Sequence, residues 1–274
     1  MKKVLITGNS GYIGSHLTKL LSAEYLVFGL DKNECIAPVD LHHKADICSM
    51  TDLGRDFDAV VHLAALVNVN ESVRDPIGYY HTNVNGTLKV LHHTQFKNFI
   101  FASTGAAEHC YSPYGVSKRA AEDCVRQYCK ERAIGHTIFR FYNVIGSDGF
   151  PPTNPDGLFH NLIKAKETGE ITIFGRDYDT IHGDGTAVRD YVHVMEICDA
   201  IRTAIEKPSN SVECLGHGVG YSVREIVRLF EQVNDATIDI KYAARRDGDL
   251  AYSVLEDVSP YMKNLYSIEQ LLKV

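Results

Sequence analysis

The sequence predicts an α/β fold, with a doubly wound parallel sheet and a second, smaller α/β domain interleaved with it. Short apolar runs alternate with helical patterns from the start of the chain, which is typical of strands joined by crossover helices. The first run, Lys3–Thr7, is too uniformly apolar for a strand with one face in water, and this favours a central parallel strand. At 274 residues the chain is long enough for a large domain and a small one, each with a core.

A glycine-rich turn follows that first strand and opens a helix. Gly8 permits the tight turn, Gly11 lets the backbone approach a pyrophosphate, and Gly14 lets the helix pack against the strand. The first N–H groups of the helix and the positive end of its dipole then face the phosphates. Three spaced glycines alone are also compatible with an ordinary glycine-rich turn, so the surrounding sequence has to decide.

Residues 26–30 form a second apolar strand, and it ends at Asp31. A carboxylate at that place can accept hydrogen bonds from both ribose hydroxyls, and it repels a 2′-phosphate. The alternative is a surface aspartate that happens to end a strand. In the context of the glycine turn, the sequence predicts a dinucleotide site for NAD rather than NADP.

Two further segments fit that site. Asp46 stands at a plausible strand end, from which it could reach the adenine amine. Residues 58–65 read as the next strand, which finishes in Ala64 and Ala65, and these small residues let a flat ring lie against the backbone.

The rest of the chain alternates in the same way. We expect a long helix over 76–96, a strand over 99–104, a helix from Ser112 and a strand over 136–142. A Gly- and Pro-rich stretch over 146–157 reads as a crossover between lobes. The predicted NAD-binding domain comprises residues 1–142 and about 171–206, and the predicted substrate domain comprises about 143–170 and 207–274.

Composition excludes several classes of function. The net charge is −7 with Lys and Arg dispersed, so no nucleic-acid or anionic-membrane surface is expected. No stretch approaches the roughly 20 apolar residues of a membrane span. The seven cysteines are odd in number and lack C-x-x-C spacing, which favours reduced thiols in the cytoplasm. Adjacent His pairs do not have metal-ligand spacing, and no metal is predicted.

Tyr114 and Lys118 lie four residues apart on one predicted helix, so their side chains share a face. The lysine charge should favour tyrosinate and lower the phenol pKa from about 10 toward neutrality. A tyrosinate can take a proton from a sugar hydroxyl while hydride leaves the same carbon. Thr104, at the end of the neighbouring strand, supplies a second hydroxyl to orient that oxygen. Although chance could place a Tyr and a Lys at this spacing, the preceding turn and strand favour a catalytic pair.

These motifs together resemble the extended short-chain dehydrogenases/reductases with a Rossmann fold, and the chain is most similar to the UDP-glucose (UDP-galactose) 4-epimerase family. The resembling segments cover nearly the whole chain: residues 7–16, 62–66, 71–73, 83–87, 114–118, 140–143, 173–175, 188–195 and 245–250. The last three are the most specific, because they belong to nucleotide-sugar binding rather than to dinucleotide folds in general.

The resemblance implies a set of ligand contacts. Tyr12, Ile13, Asp31, Asp46, Ile47, Asn83 and Lys118 correspond to residues that contact NAD, and Leu63 and Phe141 complete the predicted cofactor set. Asn143, Asn161 and Leu162 correspond to contacts with sugar and diphosphate, Thr172 and Phe174 would frame the uracil, and Arg189, Arg246 and Asp249 would bind diphosphate and ribose. Arginine suits bidentate phosphate contacts, and aspartate suits paired hydroxyls.

The implied activity is NAD-dependent 4-epimerisation of a UDP-hexose through a 4-keto intermediate. Alternatives are a 4-epimerase of UDP-glucuronate or a UDP-pentose, a 4-reductase or dehydrogenase, and a non-catalytic nucleotide-binding regulator. Gly105 and Ala106 follow Thr104 where a 4,6-dehydratase needs an Asp-Glu pair and a decarboxylase a Glu, so neither chemistry is expected.

The resemblance also implies a homodimer joined by the helices near 76–96 and 113–133. The apolar stripe Ala120, Cys124 and Tyr128 is compatible with this, although it could equally face the monomer's own sheet.

Three departures and one specificity position complete the comparison with the family. Residues 105–113 replace a longer loop, the chain stops soon after 270, and Val67 stands where a lysine is common. The resemblance also implies that the position four residues after Asp249 borders the sugar's C2 substituent, where a small residue admits an N-acetyl group. Counting without gaps places Ser253 there, and one gap would place Tyr252 there instead.

Overall fold

The computed structural model describes residues 1–53, 56–263 and 265–274 and divides the chain into two compact units. Unit 1 comprises Met1–Arg140 and Cys198–Glu213, and unit 2 comprises Phe141–Ile197 and Cys214–Val274. The interleaving of two domains is therefore present. The predicted boundaries differ from this division, because residues 171–197 fall in unit 2 and residues 207–213 fall in unit 1.

A seven-stranded sheet forms the framework of unit 1. In chain order the strands of this part are β1 (Lys3–Thr7), β2 (Leu26–Asp31), β3 (Leu41–Lys44), β4 (Asp56–Phe57), β5 (Ala59–His62), β6 (Gln95–Phe96), β7 (Asn98–Thr104) and β8 (Gly135–Phe141). The order across the sheet is β3-β2-β1-β5-β7-β8, followed by β12 (Val212–Leu215), while β4 pairs with β6. The four pairings from β3 to β7 are parallel.

The strand order reverses between β1 and β5, which confirms the doubly wound class. In open parallel sheets ligands bind beyond the carboxyl ends of the strands at this reversal. Here the ends that meet there are Thr7 with the glycine turn and His62 with the alanines, which lie side by side in register. The sequence of these two segments therefore places the predicted cofactor site at the sheet edge that the topology requires.

Six helices and one π-helical segment belong to unit 1: α1 (Tyr12–Leu21), α2 (Val69–Arg74), α3 (Pro76–Tyr80), the π segment (His81–Gly86), α4 (Thr87–His93), α5 (Ala106–His109) and α6 (Pro113–Glu131). The predicted helix over 76–96 is thus three consecutive helical pieces, and it ends earlier than expected. Thr94 adopts an extended conformation, and the next two residues pair with β4 instead of continuing the helix. The side chains of Phe96 and Phe99 then pack with ring centroids 5.0 Å apart.

Unit 2 contains the remaining elements: β9 (Asn143–Ile145), α7 (Leu158–Thr168), β10 (Glu170–Phe174), β11 (Val188–His193), β13 (Gly220–Ser222), α9 (Val223–Asn234), β14 (Asp239–Ala243), β15 (Tyr252–Ser253) and α10 (Ile268–Leu272), while α8 (Val194–Glu206) begins in unit 2 and ends in unit 1. Strand β10 pairs in parallel with β14, and β11 pairs with β9, β13 and β15. Phe230, Leu271 and Leu272 are fully buried in the core of this unit.

No helix within residues 1–53, 56–263 and 265–274 is long and apolar enough to cross a membrane. All seven cysteines lie within the described residues, and none of them forms a disulfide bond.

Candidate active site

The turn after β1 has a shape that only glycines fit. Gly8 has a φ of +79°, and its N–H donates to the Leu30 carbonyl at 2.8 Å, which ties the turn to β2. A Cβ on Gly8 would lie 2.7 Å from the Ala64 nitrogen, and one on Gly14 would lie 2.1 Å from the Gly8 oxygen. The backbone therefore closes on itself here with no side chain above it, which is the space a pyrophosphate needs.

The N-terminus of α1 is left open toward that space. Gly11 caps the helix without a side-chain hydrogen bond, and the first turn contains no acidic residue. Tyr12 and Ile13 occupy the first two positions and are half-buried. With no carboxylate of its own at this end, the helix offers its positive dipole end to an anionic ligand.

Asp31 lies at the end of β2 beside the turn. Its carboxylate accepts hydrogen bonds from the N–H groups of Ser10 at 3.1 Å and Asn33 at 2.9 Å. These bonds fix both oxygens and leave lone pairs for ribose hydroxyls. Asp46 is exposed just past β3 and accepts from the Cys48 N–H at 2.8 Å. Its neighbour Ile47 has its side chain in the core, so only its backbone is available to a ligand.

The end of β5 forms the opposite wall. Leu63, Ala64 and Ala65 are half-buried, and the Leu63 N–H donates to the Thr7 carbonyl at 3.0 Å. The Ala64 backbone lies directly beside Gly8, and the small side chains of Ala64 and Ala65 stay predicted cofactor contacts. Phe141, the last residue of β8, is buried and belongs by its contacts to unit 2.

The Asn83 side chain forms hydrogen bonds with other residues of the protein. Its side-chain oxygen accepts from the Leu66 N–H at 2.8 Å, and its amide donates to the Leu66 carbonyl at 3.0 Å and to Ser117 Oγ at 2.9 Å. With both amide hydrogens used, this side chain braces the residues after β5 against α6. The resemblance to the family suggested a cofactor contact at this position and gave no sign of the brace.

Tyr114, Lys118 and Thr104 come together at the start of α6 and the end of β7. Ser112 caps α6 by accepting from the Gly115 N–H, and Pro113 occupies its first turn, so the helix begins with Tyr114 at the sheet edge. The Thr104 hydroxyl lies close enough to the Tyr114 phenol to lower its pKa. The Lys118 ammonium lies 4.2 Å from the centre of the Phe101 ring. All three predicted catalytic side chains are thus in one cluster.

Burial sets the protonation of this cluster, and it corrects one expectation. The pKa of Tyr114 is not lowered in the protein alone: burial raises it to about 12, with a smaller opposing effect of the Thr104 hydroxyl. Burial also lowers the pKa of Lys118 to about 7, against the attraction of Glu122. Only 9% of Tyr114 and 3% of Lys118 are exposed, so desolvation, and not the lysine charge that the sequence argument relied on, sets the pKa of Tyr114 in the protein alone.

A buried ion pair between Arg140 and Glu122 holds α6 one helical turn after Lys118. Arg140 donates to both Glu122 oxygens, at 2.9 and 2.8 Å, and Ser103 donates to one of them at 2.5 Å. Glu122 is completely buried, so these bonds satisfy its charge and fasten α6 to β7 and β8. Sequence reasoning missed Glu122, since its partners lie far from it in the chain.

The shortened segment 105–113 is a formed wall. It contains the helical turn α5, which ends at Cys110 in the left-handed region with a φ of 55°. A Cβ on Gly115 would lie 2.5 Å from the Ala106 oxygen, so α5 packs directly onto α6. The short segment therefore rebuilds the wall beside Tyr114 as a compact turn.

In unit 2 the predicted nucleotide residues form an accessible cluster. Phe174 ends β10 with 40% of its surface exposed, and the Arg246 guanidinium lies 4.9 Å from the centre of its ring. Asp249 accepts a hydrogen bond from Arg246 at 2.8 Å. Thr172 lies two residues before Phe174 on the same exposed face of β10. An aromatic ring with an arginine and a carboxylate beside it can stack on a base and bind ribose and phosphate.

Strand β15 shows on which face of the sheet Ser253 and Tyr252 lie. Ser253 pairs with Arg189 across the β11–β15 ladder, and Tyr252 pairs with Val188. Since paired residues project to the same face of a sheet, Ser253 shares the face of Arg189 and Tyr252 faces the other way. The Arg189 guanidinium donates to the Val188 carbonyl at 2.9 Å.

The other predicted substrate residues are partly committed to the fold. Asn143 donates to the Asp190 carbonyl at 3.0 Å, and Asn161 donates to the carbonyls of Pro155 and Gly157. Leu162 is completely buried in the unit 2 core, so only its backbone could face a substrate.

Two residues of unit 2 that sequence reasoning missed organise this face. Asp190 is fully buried and accepts from the N–H groups of His217, Gly218 and Leu255, which holds two loops to β11, the one at residues 217–218 and the one after β15. Tyr178 is 5% exposed, and the Arg245 guanidinium lies 4.1 Å from the centre of its ring. Asp190 lies inside the segment 188–195 quoted for the resemblance, which was the only signal for it.

Within the described residues, no cluster of three His, Cys, Asp or Glu side chains is placed to hold a metal ion.

Comparisons with known proteins agree with this geometry. The NAD dependent epimerase/dehydratase family matches residues 4–215. The UDP-glucose 4-epimerase of Bos taurus is 33% identical, over 91% of this chain and 87% of that protein. The UDP-glucose 4-epimerase of Bifidobacterium longum, solved with NAD+ and UDP, superposes with a TM-score of 0.87 at 27% identity, covering 98% of this chain and 96% of that one. The UDP-N-acetylglucosamine 4-epimerase of Methanobrevibacter ruminantium superposes with a TM-score of 0.83 at 25% identity, covering 99% and 96%. The chain belongs to the NAD-dependent epimerase/dehydratase family.

Proposed function

We propose that this protein is an NAD-dependent 4-epimerase of a UDP-hexose, acting on UDP-glucose and UDP-galactose. The observation that carries the proposal is the buried cluster of Tyr114, the nearby Thr104 hydroxyl and Lys118 one helical turn away, at the sheet edge where the glycine turn and Asp31 would fit NAD. The curated relatives that carry this activity match most of the chain.

The residues of unit 1 supply proton transfer and orientation. Bound NAD supplies the hydride acceptor and a positively charged ring. Tyr114 takes the proton of the sugar 4-hydroxyl, and Thr104 orients that oxygen through its own hydroxyl. Tyr114 then returns the proton when the 4-keto sugar presents its other face, so the cycle consumes no co-substrate. Lys118 stays close enough to stabilise the tyrosinate in both directions.

Unit 2 supplies the anchor. Phe174 would stack on the uracil, Arg189 and Arg246 would bind the diphosphate, and Asp249 would bind the ribose. Binding energy concentrated on the nucleotide leaves the hexose free to turn between the two hydride transfers. Asn143, Asn161, Leu162 and Thr172 would complete the contacts to sugar and base.

The direct test is to incubate the purified protein with UDP-galactose and catalytic NAD and to analyse the sugar nucleotides. We expect UDP-glucose to form until equilibrium, with no net reduction of NAD. Stoichiometric NADH with no UDP-glucose would instead indicate a dehydrogenase. Binding of UDP without any turnover would indicate the non-catalytic regulator. Conversion of UDP-glucuronate or a UDP-pentose alone would show that the protein is a 4-epimerase of that substrate instead of a UDP-hexose.

We also infer that the N-acetyl forms are substrates, since Ser253 shares the Arg189 face and Tyr252 does not. A hydroxymethyl group leaves room for an acetamido group that a phenol ring would exclude. Ser253→Tyr should lower kcat/KM on UDP-N-acetylglucosamine by about a hundredfold while changing that on UDP-glucose by about twofold. Negligible activity of the wild type on the N-acetyl substrate would refute this assignment.

A homodimer and a cytoplasmic location are further parts of the proposal. Ile77 on α3, Leu88 on α4 and Val116 on α6 are 73%, 45% and 38% exposed, so these helices present apolar side chains outward. Of the predicted stripe, Ala120, Cys124 and Tyr128 are half-buried, and Tyr128 packs against the core of unit 1. Light scattering at micromolar concentration should give the mass of a dimer. The lack of disulfide bonds among the seven described cysteines supports a reducing compartment, which fractionation of the source cells would test.

A further inference from the structure

A chain of buried polar side chains runs through unit 1 around His62, a residue with no part in the proton transfer described above. His62 ends β5 and is 1% exposed. Its Nδ1 lies 2.6 Å from Thr7 Oγ1, and its Nε2 lies 3.0 Å from Thr87 Oγ1. Thr7 and Thr87 are also buried, so water does not compete for these bonds.

The direction of these bonds follows from counting hydrogens. The Thr87 hydroxyl donates to the Asn83 carbonyl at 2.6 Å, so toward His62 it can only accept. Nε2 must therefore carry the hydrogen, and Nδ1 must accept from the Thr7 hydroxyl. A neutral imidazole satisfies both ends, whereas a protonated ring would donate at both nitrogens and leave the Thr7 hydrogen without this acceptor. Burial and the nearby Lys118 charge lower the pKa of His62 to about 3, which is consistent with the neutral ring.

The two ends of this row of hydrogen-bonded side chains hold the residues after β5 that are predicted to face the cofactor. At one end, the Ala64 N–H donates to Thr7 Oγ1 at 3.4 Å. At the other, Asn83 bonds both the N–H and the carbonyl of Leu66. The residues after β5 are thus tied on one side to β1 and on the other to the helical segment that carries Asn83, with His62 joining the two.

The same chain reaches the catalytic helix. The Asn83 amide donates to Ser117 Oγ, and the Ser117 hydroxyl donates to the Tyr114 carbonyl at 2.8 Å. Asn83 lies in the π segment, and π-helical turns are frequent at functional sites because the extra residue re-aims a side chain. In this segment the Asn83 amide therefore contacts both Leu66, after β5, and Ser117, on α6.

We propose that His62, as its neutral Nε2–H tautomer, is a positioning residue that holds the cofactor-facing strand end 63–66 and the catalytic helix α6 in one arrangement. The alternative is a buried histidine that merely contributes to the core. His136 provides the matched case, because it is 8% exposed in the same unit and its Nδ1 has no hydrogen-bond partner in the described chain. Removing His62 should move the site, whereas removing His136 should affect stability alone.

Four variants test the proposal: His62→Gln, Thr87→Val, their double mutant and the control His136→Gln. We expect His62→Gln to lower kcat by about thirtyfold, because small misplacements of catalytic groups cost one to two orders of magnitude. The affinity for NAD should fall about tenfold, since each tenfold change needs only about 1.4 kcal/mol. KM for the UDP-sugar should change by less than about twofold, because its proposed anchor lies in unit 2.

The double mutant separates a linked chain from independent defects. His62→Gln and Thr87→Val break the same connection, so together they should lower kcat little more than the worse single change. Hydrogen exchange of the peptide covering residues 60–68 should be faster in both single variants and unchanged in His136→Gln. If His62→Gln fails to fold, Thr87→Val still breaks the chain and carries the same expectations.

Several results would overturn the proposal: His62→Gln matching His136→Gln in kcat, NAD affinity and exchange, or multiplicative effects in the double mutant. Nitrogen NMR of wild-type protein showing the Nδ1–H tautomer would also overturn it. The turnover readout rests on the proposed function, whereas exchange, NAD affinity and tautomer do not. A wild type without epimerase activity would therefore count against the proposed function and leave this inference decidable.

Discussion

The proton-transfer cluster of unit 1 and the proposed nucleotide face of unit 2 differ most in burial. Tyr114 and Lys118 are 9% and 3% exposed, and their pKa values move because water is excluded. Phe174 is 40% exposed, and the hydrogen bond between Arg246 and Asp249 beside it is partly buried. Chemistry needs groups whose protonation the protein controls, whereas reversible binding needs groups that stay hydrated until a ligand covers them.

The largest effect that would sharpen this comparison is loss of the proton acceptor. Tyr114→Phe keeps the ring and removes the hydroxyl, so kcat should fall by about a thousandfold, within the usual range for general acid–base catalysis. The affinity for UDP should change less than about twofold, because the nucleotide face contributes it. Tyr111→Phe, at a position 67% exposed in the adjacent segment, is the matched control and should leave kcat unchanged. Turnover by Tyr114→Phe at the wild-type rate would exclude Tyr114 as the base.

The next effect concerns the other side of the comparison. Arg246→Ala removes both the guanidinium over Phe174 and the partner of Asp249. A charged hydrogen bond contributes about 1.5–3 kcal/mol, so the dissociation constant for UDP should rise by about ten- to a hundredfold. Arg228→Ala, which changes an exposed arginine of α9, should leave UDP binding as it is. Titration calorimetry measures both, and equal affinities would remove Arg246 from the nucleotide site.

These two regions also differ in how far the sequence could predict them. Glycine spacing, Asp31 and the Tyr114–Lys118 pair are local patterns whose chemistry follows from residue type, and the structure places them at the predicted sheet edge. Arg189 and Arg246 carry no such pattern, and only the resemblance to a family pointed to them.

What the sequence did not predict depends on contacts between distant residues. The pKa of Tyr114 is raised because the folded chain excludes water from it, and no local pattern encodes burial. The π segment places the Asn83 amide within reach of both Leu66 and Ser117, and no local pattern predicts these two contacts. Glu122 meets Arg140 only after α6 has packed against β7 and β8. Propensity and spacing are therefore informative about single elements and silent about such pairings.

The smallest expected effect tests whether burial of Lys118 has the energetic consequence just described. The folded pKa of about 7 lies below the unfolded value of 10.5, so between these pH values the unfolded chain binds more protons than the folded one. Wild-type stability should therefore increase as pH rises from 7 toward 10.5, and below pH 7 it carries the full penalty of the buried charge.

Lys118→Met removes the charge and keeps much of the volume. Although inactive, this variant should unfold at higher denaturant concentration than wild type at pH 7, and its advantage should shrink by about 2 kcal/mol between pH 7 and 9, at about 1.4 kcal/mol per pH unit. Lys130→Met, at an exposed position on the same helix, should show no such change with pH. Urea unfolding at the two pH values measures the difference, and a constant offset between Lys118→Met and wild type would mean that Lys118 stays hydrated and that burial does not control the cluster.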